Sequence, residues 1–199
     1  MRRKKNKPPR PTIEPQRWAG EPAFGRVHHF NERGLALLAA QALEDDALAA
    51  LWRQLDARAL KRAARCPVLL MDLHFQRLDR WQHMTQRRRD PVLSEAQPAP
   101  AAPLLREILL EAWTLGRTMP RALNLLFGMA SPVIATIGRL AAPEIDRIAI
   151  EEARHLKLRW PESRTFWKGL LEAAIGTDDQ GLKNVHLHCL QLLGSEALP

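Results

Sequence analysis

Four cations stand at Arg58, Lys61, Arg62 and Arg65, at steps of three, one and three, with no carboxylate between Asp56 and Asp72. On an α-helix those steps gather the side chains along one face, while Ala57, Leu60, Ala63 and Ala64 supply the other. When such a helix is the second of a helix-turn-helix it enters the major groove, where its cations meet phosphates and guanine edges. A solvated polar face is the evenly weighted alternative. A second group, Arg2, Arg3, Lys4 and Lys5 with Lys7 and Arg10, lies at the start of the chain. It reads first as a solubility feature or a nonspecific polyanion contact, and second as an electrostatic DNA arm. The net charge of +8 owes most to this tail, because residues 11–199 hold 24 cations against 22 anions.

The opposite charge gathers further along. Glu144, Asp146, Glu151 and Glu152 outnumber Arg147, a surface that repels a phosphate backbone and suits a basic protein partner or a second copy of the chain. Glu144, Glu151 and Glu152 are therefore the candidate partner contacts. His186, His188 and Cys189 invite a zinc reading, but on a helix positions two apart point about 200° away from each other, and no second ligand pair is present. Cys66 and Cys189, the chain's two cysteines, read as reduced thiols rather than a structural bridge. There is no phosphate-cradling glycine loop, nucleophile elbow or His-Glu-x-x-His helix, and His28-His29 falls in what reads as a loop without catalytic companions. The expectation is a non-enzymatic protein with no metal and no cofactor.

The elements that must carry these groups are spelled twice. Segment 38–81 laid without gaps on 123–166 puts Leu48 on Val133, Trp52 on Ile137, Leu55 on Leu140, Leu60 on Ile145, Ala63 on Ile148 and Ala64 on Ala149. It then puts Met71 on Leu156, Leu73 on Leu158, Phe75 on Trp160 and Trp81 on Phe166. Coincidence of apolar positions at one constant offset reads as an internal repeat. Each copy opens a short helix, then a second, marked in the later copy by Pro143 and Glu144. The period next drops to two: Met71, Leu73 and Phe75 alternate with Asp72 and His74, and Leu156, Leu158 and Trp160 with Lys157 and Arg159, giving a brief strand in each copy. A helix follows at Trp81 and at Phe166, the later one with Ser163 as N-cap. Before the first copy a helix is expected from Phe30, capped by Asn31 and running through Leu35, Leu37, Leu38 and Leu43. Asp45 and Asp46 mark the next start, and a last helix runs from Gln180 towards Leu193.

The run Leu126-Phe127-Gly128-Met129-Ala130-Ser131-Pro132-Val133-Ile134-Ala135-Thr136-Ile137-Gly138-Arg139-Leu140, continuing through Pro143-Glu144-Ile145 and Arg147-Ile148-Ala149 to His155-Leu156-Lys157-Leu158-Arg159-Trp160, resembles the flagellar transcriptional activator subunit family of the FlhD type. The resemblance covers roughly 123–175 and extends more faintly to 38–84. It implies a mostly helical, dimer-forming subunit of a bacterial transcription regulator that acts on promoters with a second subunit. That second subunit carries a four-cysteine zinc site, which this chain lacks.

The fold expected is mainly α, with two tandem copies of a helix-turn-helix-like unit, each holding one short strand, packed as a pseudo-dimer. The boundaries are a basic disordered tail at 1–25, repeats at 26–88 and 104–178, a Pro/Ala-rich connector at 89–103, and a C-terminal helix at 179–199. An isolated strand leaves its backbone groups unpaired, so 69–75 should pair with 154–160. The uncharged run between Arg121 and Arg139 falls short of a bilayer span and reads as two buried helices and a turn. With no signal peptide and no membrane segment read from the sequence, the expected compartment is the cytoplasm. Two functions of different class follow: a DNA-binding transcriptional regulator working with a partner subunit, or a protein-binding adaptor with no specific DNA affinity.

Overall fold

The structure is a computed structural model that describes residues 21–38, 46–87, 99–176 and 178–196. These form α1 Glu21–Leu38, α2 Asp46–Arg53, α3 Ala57–Ala63, β1 Met71–Asp72, α4 Leu78–Gln86, α5 Ala102–Thr118, α6 Pro120–Ala122, α7 Ser131–Ile137, α8 Ala142–Glu152, β2 Lys157–Leu158, α9 Arg164–Ile175 and α10 Asp179–Glu196. A π turn at Leu123–Phe127 extends α6, and a 3-10 turn at Ala153–His155 extends α8. The chain is mainly helical, as its Leu- and Ala-rich composition implies.

The two strands join as expected. They pair antiparallel, with Met71 opposite Leu158 and Asp72 opposite Lys157, and Arg159 N–H continues the ladder onto the Leu70 carbonyl at 2.9 Å. The ribbon divides two cores. One gathers α5, α7 and α8 with Trp81 and Met84 of α4 and with Val27 and Phe30 of α1. The other gathers α2, α3 and α10 with Phe166, Trp167, Leu170 and Leu171 of α9. Each helix that follows a strand thus packs away from its own half: α9 lies on α2 and α3, while α4 lies on α7 and α8. Burial of apolar side chains fixes this crossing, since Trp81 and Phe166 are each fully enclosed on the far side.

The constant offset does not hold through the strands. Asp46 and Ser131, like Ala57 and Ala142, open helices 85 residues apart. Beyond the ribbon the same geometry recurs at 86. His74 and Trp160 both adopt left-handed backbone, φ 53° and 51°. Each carbonyl then accepts a hydrogen bond three residues on, Arg77 N–H to His74 at 2.8 Å and Ser163 N–H to Trp160 at 2.9 Å. Trp81 accordingly stands opposite Trp167 rather than Phe166. The extra residue lies between helix and strand, because Pro67 disfavours helical backbone at Cys66 and follows soon after the end of α3, whereas α8 runs on into its 3-10 turn.

Three local expectations are corrected. The first helix begins at Glu21, not Phe30, so the basic tail ends before 25 and His28-His29 is helical. Asn31 is not a cap but a buried mid-helix side chain, whose Nδ2 reaches the carbonyls of Ala64, Cys66 and Val68 at 3.3, 3.3 and 2.9 Å and whose Oδ1 accepts Leu70 N–H at 2.8 Å. It holds the loop that Pro67 creates. Arg159 does not face outward: the left-handed turn at Trp160 breaks the alternation, and Arg159 is 2% exposed, donating to the Phe127 and Gly128 carbonyls and pairing with Glu196. Ser163 does occupy the N-cap position of α9, without a side-chain cap bond. Leu43, Asp45 and residues 88–98 lie outside the described residues, and the expected connector 89–103 ends earlier, because Ala102 and Pro103 already open α5.

No single helix among the described residues is long and apolar enough to cross a membrane. The uncharged run folds into two segments, Pro120–Phe127 and Ser131–Ile137, bent by 117°. Leu123, Leu126, Phe127, Val133, Ile134 and Ile137 point into the core. Gly128 makes the bend with φ 59°, and Arg159 fills the space a side chain there would need.

Candidate nucleic-acid interface

Asp56 starts α3 by accepting Ala59 N–H at 2.7 Å, and Ala59 and Ala63 bury its inner face. The outer face carries the cations. Arg58, Lys61 and Arg65 are exposed, and none forms an ion pair among the described residues. With Ala57 and Arg62 they line a shallow concavity of about 470 Å³. Like charges held this close on one short helix repel each other, an arrangement that an anion relieves.

Arg62 belongs to this group only in part. At about 100° per residue it lies on the flank of the stripe nearest α9. There its guanidinium donates to the Ala173 and Ala174 carbonyls, each at 3.1 Å, and to Asp179 at 2.8 Å. Its side chain is 14% exposed, so the expectation that Arg62 points into solvent like Arg58 is corrected. The bonds satisfy carbonyls at the end of α9, which lack helical partners. They also tie α9 to the first turn of α10.

Two histidines that sequence reasoning left aside stand behind Arg65. Burial first, and the Arg65 charge second, hold His28 below the ordinary imidazole range, against a hydrogen bond to the Arg65 backbone that favours protonation. Burial and then His28 lower His186 in the same way. The missing signal was the long-range packing of α1 and α10 on the α3 turn. His188 turns elsewhere, edge-on to Phe166 at 5.9 Å. No group of three His, Cys, Asp or Glu able to hold a metal occurs among the described residues.

The acidic helix differs in kind. Glu144 accepts Ala141 N–H at 2.7 Å and so caps α8. Glu151 pairs with Arg147 at 2.7 Å, and Arg147 also reaches the Met84 carbonyl at 2.9 Å. Glu152 is 9% exposed, with Arg87 at 3.8 Å and His155 at 3.9 Å, while Asp146 pairs with Arg106 at 2.7 Å. These carboxylates have partners within the fold. Arg2, Arg3, Lys4 and Lys5 lie outside the described residues.

No family model matches the chain, and neither the curated proteins nor the solved structures compared with it match significantly.

Proposed function

We propose that the protein is a DNA-binding transcriptional regulator of the FlhD-like kind, in which two related helical units within one chain take the place of two subunits. The observation that carries the DNA reading is the trio Arg58, Lys61 and Arg65, exposed, without an ion pair among the described residues and lining one concavity on the second helix of a helix pair. Phosphate oxygens are the complementary ligand. The pseudo-dimer reading rests on the antiparallel ribbon, the exchanged α4 and α9, and the recurrence of turn geometry 86 residues on. Action on a promoter with a second regulatory subunit rests on the sequence resemblance.

A binding titration against duplex DNA over a range of salt, using the chain without residues 1–11, tests the reading. Retained affinity that falls on changing Arg58, Lys61 and Arg65 to Ala supports it. Complete loss on removing the tail alone overturns it and favours the adaptor. That second reading has its own support, for Leu187 and Leu190 lie one helical step apart on α10 and are 61% and 46% exposed.

A further inference from the structure

Cys66 and Cys189 stand 123 positions apart in the chain, yet their sulfur atoms approach to 3.2 Å, and both residues are fully buried. Cys66 ends the turn that leaves α3, its N–H on the Ala63 carbonyl at 3.3 Å and its carbonyl held by Asn31. Cys189 lies on α10, where its thiol donates to the His186 carbonyl at 3.1 Å. With no third metal-ligating side chain grouped with them among the described residues, each sulfur has the other as its chemical partner. A disulfide needs an S–S separation of about 2.05 Å, so the sulfurs have about 1 Å left to close.

We propose that Cys66 and Cys189 form an intramolecular disulfide when the protein meets a small peroxide oxidant, tying α10 to the end of the basic helix. One sulfur, as thiolate, attacks the O–O bond of hydrogen peroxide, becoming a sulfenic acid while the departing hydroxide takes up a proton as water. The second sulfur attacks the sulfenic sulfur. The S–S bond forms, the S–O bond breaks and a second water leaves, so two thiols lose two electrons and two hydrogens to one peroxide. The Cys66 hydrogen bond and burial together keep the Cys189 thiol well above the ordinary range, so Cys189 is a poor first attacking sulfur. Because Asp179 of α10 holds Arg62, the tie would stiffen one wall of the basic concavity. The bond itself stands or falls independently of DNA binding.

The test treats the folded full-length chain with hydrogen peroxide, then denatures it, alkylates the remaining thiols and measures the intact mass. The expected product is a monomer about 2 Da lighter that has lost both alkylation sites together. Dithiothreitol restores them. The oxidised form should melt about 10 °C higher, since the tie closes a very long loop. Oxygen adducts without the paired loss, disulfide-linked dimers, or two thiols surviving a treatment that oxidises the urea-unfolded chain would each overturn the proposal. Cys189→Ser should leave a single thiol that gains oxygen. The wild-type measurement decides the matter even if that variant folds poorly.

Discussion

The basic helix α3 and the acidic helix α8 each lead towards one strand of the ribbon, yet their charges serve opposite ends. On α8, Glu144, Asp146, Glu151 and Glu152 each meet a group of the same molecule: the capped Ala141 amide, Arg106, Arg147, and the Arg87 and His155 pair. On α3 only Arg62 is engaged in this way, and Arg58, Lys61 and Arg65 remain unpaired among the described residues. Net charge along a helix therefore does not measure the charge it can offer a ligand. The acidic surface holds four carboxylates and the basic one four cations, but the carboxylates are the less available in the fold.

The comparison can be broken most severely at Arg159. Leu73, which precedes the left-handed turn at His74 as Arg159 precedes the one at Trp160, is buried without any charge. Arg159→Leu imports that solution, but it strips donors from the Phe127 and Gly128 carbonyls and isolates Glu196, so urea unfolding should show a loss of about 3–5 kcal/mol. A neutral result would mean the two halves tolerate the same apolar packing. The DNA reading is sharpened next by Arg58→Ala with Arg65→Ala in the chain lacking residues 1–11. The salt slope of binding should fall by about two units, one per lost phosphate contact, while Glu151→Ala leaves it unchanged. The opposite pattern would reverse the assignment of surfaces.

Smaller effects test which charges are internal. Arg62→Ala should cost about 1–2 kcal/mol in thermal or urea unfolding, since two carbonyls of α9 lose their donor, whereas Arg58→Ala should stay within about 0.5 kcal/mol. Equal costs for the two would contradict the placement of Arg62 against α9. Glu144→Ala should remove about 0.5–1 kcal/mol through the α8 cap, with no accompanying loss if the cap is immaterial. The smallest effect is a pH dependence. His28 and His186 are held below the ordinary value, so the unfolded chain takes up protons first as pH falls through about 6.5. Their contribution to stability is intact above that value and is lost as pH falls towards the folded-state values. Replacing both with Gln should flatten the stability curve around pH 6, a result that unfolding midpoints across pH can check.

Much of the fold was legible because apolar spacing reports which face is buried. The helix pairs and the brief strands could be read from where the period changed from about 3.6 to two, and so could the strands' pairing, though it spans only Met71–Asp72 and Lys157–Leu158 within the expected 69–75 and 154–160. What could not be read were the roles of polar residues whose partners are remote. Asn31 has the chemistry of an N-cap, and the same amide serves equally well to pin a loop more than thirty residues away. Arg62 shares the stripe of Arg58 and Arg65, but only the position of α9 separates a helix-end brace from a free cation. The one-residue slip was hidden because sliding an apolar pattern by one still matched Phe75 to Trp160 and Trp81 to Phe166. The turns at His74 and Trp160 expose it, since backbone conformation does not tolerate that ambiguity.

The crossing of α4 and α9 also sets an order on synthesis. Residues 46–87 leave the ribosome with Trp52, Ala63 and Leu70 poised around a core whose remaining wall, Phe166 to Leu171 and then Cys189 and Leu193, has yet to be translated. Neither half can close its own interior, so folding waits for the C-terminal helices, and the contacts that complete it join distant parts of the chain. Two fragments divided within 88–98 should each be incomplete alone and should assemble into one particle when mixed. With Trp52, Ala63 and Leu70 uncovered, a nascent N-terminal half is an aggregation hazard until its complement arrives.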